Sequence, residues 1–97
     1  MWSYVKIPFV PGEESAGMVA LEKYYVSEGD IVEKGGAIAL AHTAHSSFDI
    51  VSNYRGRILK TILWQNAYVG FRDPIATLEL WDDPVDGLLI EHCRIRQ

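Results

Sequence analysis

The chain has 97 residues, 48% of them apolar and 23% charged. A chain of about 100 residues buries roughly 60–65% of its unfolded surface, which supports one hydrophobic core and not two. A formal net charge of −4 with no basic stripe excludes the usual electrostatic footprint of a nucleic-acid binder, and arginines 55, 57, 72, 94 and 96 read as solvated surface.

The opening Met1-Trp2-Ser3-Tyr4-Val5-Lys6 lacks an apolar signal core. No run of about 18 uncharged apolar residues follows, so neither secretion nor a membrane is expected. Cys93 is the single cysteine, which rules out an internal disulfide and fits a reduced, cytoplasmic setting.

In chain order, strands are predicted over residues 4–9, 18–26, 37–42, 48–51, 58–64 and 75–80. Each is short, rich in β-branched or aromatic residues, and bounded by turn formers. No segment carries a helical pattern. Glu28-Gly29-Asp30 and Lys34-Gly35-Gly36 offer positive-φ positions for tight turns, Asp73-Pro74 suits turn initiation, and Asn53 tolerates the left-handed region. Trp2, Trp64 and Trp81 are expected in the core or at its edge. Beyond residue 80, Asp82-Asp83-Pro84-Val85-Asp86-Gly87 is a turn cluster, and residues 88–96 read as a further edge strand or, alternatively, a short irregular cover. Its Leu88, Leu89, Ile90 and Ile95 would pack on the sheets or on another copy of the chain. The expected division is a β domain over 1–80 and a C-terminal extension over 81–97 that packs on it or on a partner.

A weak internal repeat organises the strands. Val26, Glu28, Gly29, Ile31, Val32, Ala37, Ile38 and Ala39 align with Leu63, Gln65, Asn66, Tyr68, Val69, Pro74, Ile75 and Ala76, each pair 37 positions apart. Gly17 and Gly56 extend the match with a two-residue slip. Each half alone would leave an apolar face wet, so the expected architecture is all-β, a flattened barrel or sandwich of two quasi-twofold related halves.

These same segments resemble the biotinyl/lipoyl domain family over residues 7–80. Lys6-Ile7-Pro8-Phe9-Val10-Pro11-Gly12-Glu13-Glu14-Ser15-Ala16-Gly17 looks like the family's first strand and loop. Val26-Ser27-Glu28-Gly29-Asp30-Ile31-Val32 is similar to its Glu-Gly-Asp turn, and Ser52-Asn53-Tyr54-Arg55-Gly56 to the segment returning from its hairpin tip. The resemblance implies two four-stranded sheets related by a quasi-twofold axis, with a modified lysine at the tip. That lysine position falls on His45. The surrounding Asp-Lys-Ala of lipoyl domains, or Met-Lys-Met of biotinyl domains, reads Ala44-His45-Ser46 here, and no lysine lies between Lys34 and Lys60.

The substitution changes the chemistry. A lipoyl or biotinyl arm needs an amine that forms a stable amide at the end of a flexible stem, whereas an acylated imidazole is an activated donor that water cleaves. Lipoate and biotin are therefore expected absent. The tip residues Thr43, Ala44, His45 and Ser46 become an interaction surface for a protein partner, such as one that recognises carrier domains.

The expected function is non-enzymatic, as an interaction or structural module, with an accessory role in an acyl- or carboxyl-transferring complex the nearest link to catalysis. Two alternatives stand beside it: a true carrier domain of a multi-component enzyme, and a histidine-based metal or phosphoryl site at the tip. For the latter, His42 and His45 are weak metal candidates with His92 far along the chain. Ser46, Ser47, His45 and Asp49 contain the residue types of a catalytic triad, but sit within five positions of one segment and show no oxyanion motif.

Overall fold

The structure, a computed structural model, describes residues 2–8, 18–44, 46–63, 67–81 and 93–96. Among them run nine strands: β1 (Trp2–Lys6), β2 (Val19–Tyr24), β3 (Ile31–Val32), β4 (Ala37–His42), β5 (Ser47–Ser52), β6 (Gly56–Thr61), β7 (Tyr68–Val69), β8 (Pro74–Leu80) and β9 (Cys93–Arg96). No helix occurs among the described residues.

Two antiparallel sheets form, one in the order β1-β8-β6-β3 and the other in the order β7-β2-β4-β5-β9. Their inward faces meet in one core. Val5, Val19, Leu21, Ile38, Phe48, Ile50, Ile58, Ile75 and Leu78 are buried there, and the shortest molecular extent, 19 Å, fits two sheets packed about 10 Å apart with side chains outside. The sheets stay open at both edges, so the barrel alternative is corrected to a sandwich. Among the described residues, β1 and β3 bound one layer and β7 and β9 the other, and no hydrogen-bonded ladder joins the layers.

Period-2 alternation explains which residues point inward. In β8, Leu78 and Leu80 are buried while Thr77 and Glu79 are not, yet Ile75 and Ala76 are both buried in succession. β4 shows the same break, with Ile38 and Ala39 buried consecutively before Ala41. Register shifts next to these positions absorb the extra residue, the signature of a β-bulge.

The ladders repeat residue for residue. Adding 37 to the pairs Leu21↔Ala41, Lys23↔Leu40 and Tyr24↔Ala39 gives Ile58↔Leu78, Lys60↔Thr77 and Thr61↔Ala76, all of which occur with the same interruption. β1 and β5 correspond at 45 positions, Tyr4↔Thr77 matching Asp49↔Leu40. The expected Gly17–Gly56 slip is corrected by these ladders. Val19 holds the place of Gly56, since Val19↔Val69 maps on Gly56↔Val32; Gly17 itself lies outside the described residues.

Gly29 and Gly35 take positive φ (89° and 84°) as expected, but the left-handed non-glycine residue is Arg72 (φ 73°), not Asn53. Arg72 stands 37 positions after Gly35. The two make equivalent bonds, Gly35 N–H to the Ser52 carbonyl and Arg72 N–H to the Ile7 carbonyl, both 2.7 Å. The turn geometry is thus dictated by that exchange, and the side chain conforms to it.

β1 begins and ends earlier than the predicted 4–9, and β6 begins two and ends three residues before the predicted 58–64. Trp2 and Trp81, expected in the core or at its edge, are exposed, at 57% and 40%. Trp2 lies on the outward face of β1, and Trp81 follows β8 with the Arg55 guanidinium 5.0 Å over its ring. Trp64, the turn cluster at 82–87, and Leu88, Leu89 and Ile90 lie outside the described residues. β9 pairs antiparallel with β5, and Ile95 packs against the core.

Candidate functional site at the β4–β5 turn

β4 and β5 are zipped up to the pair His42↔Ser47, so the connection is short and its shape is set by its own hydrogen bonds. Thr43 N–H donates to the Ser46 carbonyl at 2.8 Å, and Ser46 N–H donates to Thr43 Oγ1 at 3.2 Å. Threonine suits this place because its hydroxyl accepts a main-chain donor two or three residues on, the behaviour that makes Ser and Thr turn residues. Thr43 is consequently buried, only 8% exposed, a correction to its expected place on the tip's interaction surface. Ala44 is exposed and Ser46 half-buried. His45 lies outside the described residues.

His42 stands at the base of the turn with Nδ1 3.6 Å from Glu22 Oε2, a half-exposed pair on the outer face of the second sheet. No group of three or more His, Cys, Asp or Glu side chains converges as a metal site among the described residues, and His92 also falls outside them. The four lysines sit elsewhere: Lys6 on β1, Lys23 on β2, Lys60 on β6, and Lys34 in the exposed turn between β3 and β4.

Next to the turn, β5 carries a cluster that sequence reasoning missed. The Tyr25 hydroxyl donates to Asp49 Oδ1 at 2.9 Å, Arg96 Nη2 donates to Asp49 Oδ2 at 3.3 Å, and Lys23 Nζ lies 5.2 Å from the Tyr25 ring centroid. Both carboxylate oxygens of Asp49 are committed to these donors, which leaves it ill placed as the acid of a triad. The bond to Asp49 pushes the Tyr25 hydroxyl above its ordinary pKa, since a phenol donating to a carboxylate resists losing its proton. Arg96 Nη1 also reaches the Gly35 carbonyl at 3.4 Å, tying β9 to the β3–β4 turn. The contributing residues run from Lys23 to Arg96, 73 positions apart, and no local pattern marks them.

Set against known proteins, the chain matches no family model, no curated protein and no solved structure.

Proposed function

We propose that the chain is a biotinyl/lipoyl-like module that carries no prosthetic arm and acts through contacts with another protein. The observation that carries this reading is the β4–β5 turn. It joins two paired strands, and on this reading it takes the place of the family's lysine-bearing tip, yet its sequence Thr43-Ala44-His45-Ser46 offers no amine. Support comes from the frame around it: β1 to β8 divided equally between the two sheets, with β9 added at one edge, and ladders that repeat at 37 and 45 positions, as a quasi-twofold duplicated sandwich requires. The module is not an enzyme on this reading. A hairpin end closed by the Thr43–Ser46 bonds and exposing Ala44 suits recognition, because less conformational freedom is lost when a pinned main chain binds.

Intact-mass measurement of the chain isolated from its own cells tests the first half: the unmodified mass is expected, and a lipoyl or biotinyl increment would establish a carrier. Affinity capture tests the second. A specific protein recovered with the native chain and lost when Ala44 and His45 are both replaced by Asp is expected; capture unaffected by these changes, or no specific protein at all, refutes an interacting tip.

A further inference from the structure

An open sheet edge is a template for another strand, and folded proteins guard such edges with short length, charge or proline. Among the described strands, three of the four sheet edges are guarded. β3 and β7 have two residues each, and β9 carries Arg94 and Arg96. β1 differs: its five residues, Trp-Ser-Tyr-Val-Lys, hold one charge, and Trp2 and Tyr4 are 57% and 45% exposed. Their rings meet edge to face at 5.4 Å.

Main-chain direction can be read from the ladder. Ile7 N–H donates to the Asp73 carbonyl and the Ile7 carbonyl accepts from Arg72 N–H. By the alternation of an antiparallel strand, Ser3 and Val5 also face β8, while Trp2, Tyr4 and Lys6 direct their N–H and C=O groups to the other side. No described strand pairs there. Pro8, with no N–H, ends the edge beyond Lys6. On β5, 45 positions later, Ser52 exchanges main-chain bonds with Gly35 and Gly36, so by the same alternation Asp49 and Val51 face β9, opposite Arg96 and Arg94. The same edge geometry therefore accepts an antiparallel strand in one half of the molecule.

We infer that β1 is a dimerisation edge whose occupant is β1 of a second copy, joined antiparallel to make one continuous sheet across two chains. The strand is self-complementary in one full-length register. With Tyr4 opposite Tyr4 of the second copy, every outward-directed residue meets another, Trp2 lies opposite Lys6, and Ser3 lies opposite Val5. Lysine then faces an indole, a cation–π pairing, and never another lysine. Registers shifted by two in either direction waste a hydrogen-bonding residue at each end. The arrangement is isologous, as a twofold dimer requires.

Sedimentation across a micromolar-to-millimolar concentration series tests it. The native chain is expected to reach twice its mass of 10.9 kDa, whereas Tyr4→Lys, which sets like charges face to face, and Tyr4→Pro, which removes an outward N–H without touching the β8 ladder, remain at one chain mass with unchanged far-ultraviolet circular dichroism. Amide exchange at Tyr4 slows with concentration in the native chain. A native chain monomeric throughout, a dimer that survives both substitutions (as an exchange of β9 between copies would), or Tyr4 exchange independent of concentration overturns the inference. Should one variant fail to fold, the other and the native exchange profile decide.

Discussion

Replacing Gly56 by alanine tests the register that aligns β6 with β8. A Cβ built at Gly56 meets the Glu79 carbonyl oxygen at 2.1 Å, the Glu79 carbonyl carbon at 3.1 Å and Leu78 Cδ1 at 3.2 Å. The first two are main-chain atoms of the neighbouring strand, so no side-chain rotation relieves the clash. Restoring an ordinary contact moves one strand by about 1 Å, which takes a ladder bond of about 2.9 Å out of hydrogen-bonding range. Overpacking of this kind costs about 2 kcal/mol and the lost bond about 1 kcal/mol, offset by about 0.7 kcal/mol from the stiffer unfolded chain. The net loss is about 2 kcal/mol, or a fall of roughly 8–16 °C in melting temperature for a domain of this size. Gly29 provides the control, because its φ is +89° but nothing lies within 4 Å of its added Cβ. Gly29→Ala carries only backbone strain, about 0.5–1 kcal/mol after the same offset. Thermal unfolding of both variants by circular dichroism is the assay. Gly56→Ala as stable as Gly29→Ala, or more so, would falsify the close approach of β6 and β8.

Arg72→Gly should stabilise the fold or leave it unchanged despite gaining unfolded-state entropy, since it relieves a left-handed backbone at φ 73° worth about 1–2 kcal/mol; urea unfolding that shows a loss above about 1 kcal/mol contradicts this. Tyr24→Phe removes a hydroxyl that donates to the Ile75 carbonyl at 2.6 Å and accepts from Leu63 N–H at 3.1 Å. It should cost about 1–2 kcal/mol and speed amide exchange at Leu63; unchanged exchange argues against the bond. Glu79 lies below its ordinary pKa of 4.5, first because the Trp81 indole N–H donates to it and then because Arg57 stands beside it. A depressed carboxyl contributes stability above its unfolded pKa that is lost as pH falls through the folded value, so the effect shows in the acid range below 4.5. Trp81→Phe should raise the Glu79 pKa toward that ordinary value in a carboxyl NMR titration, and an unmoved midpoint would exclude the indole as the main cause.

Tyr24 also shows where local reading stops. Its hydroxyl reaches from the second sheet to the first residues of β8, 51 positions on, and burial pushes its pKa upward against the main-chain N–H groups of Leu63 and Ile62. In the sequence it is one more aromatic residue of a predicted strand. Thr43 is similar: it reads as an exposed tip residue, and becomes buried because its hydroxyl and N–H close the turn on Ser46. By contrast β4 was legible to the residue, since Ala37-Ile38-Ala39-Leu40-Ala41-His42 is bounded by Gly35-Gly36 and by the polar tip.

Strand content, the glycine turns at 29 and 35 and the 37-residue spacing were written in the chain, because alternation and positive-φ demand act over a few neighbouring residues. Sheet partnership was not. Which strand lies beside which, where a bulge lets Ile38 and Ala39 or Ile75 and Ala76 both turn inward, why Arg72 accepts a left-handed backbone, and how Asp49 gathers Tyr25 and Arg96 are decided only when two apolar faces close on each other. The physical reason is that a ladder's register minimises exposed apolar area and unpaired main-chain groups over the whole sandwich, a sum that no segment of the chain contains by itself.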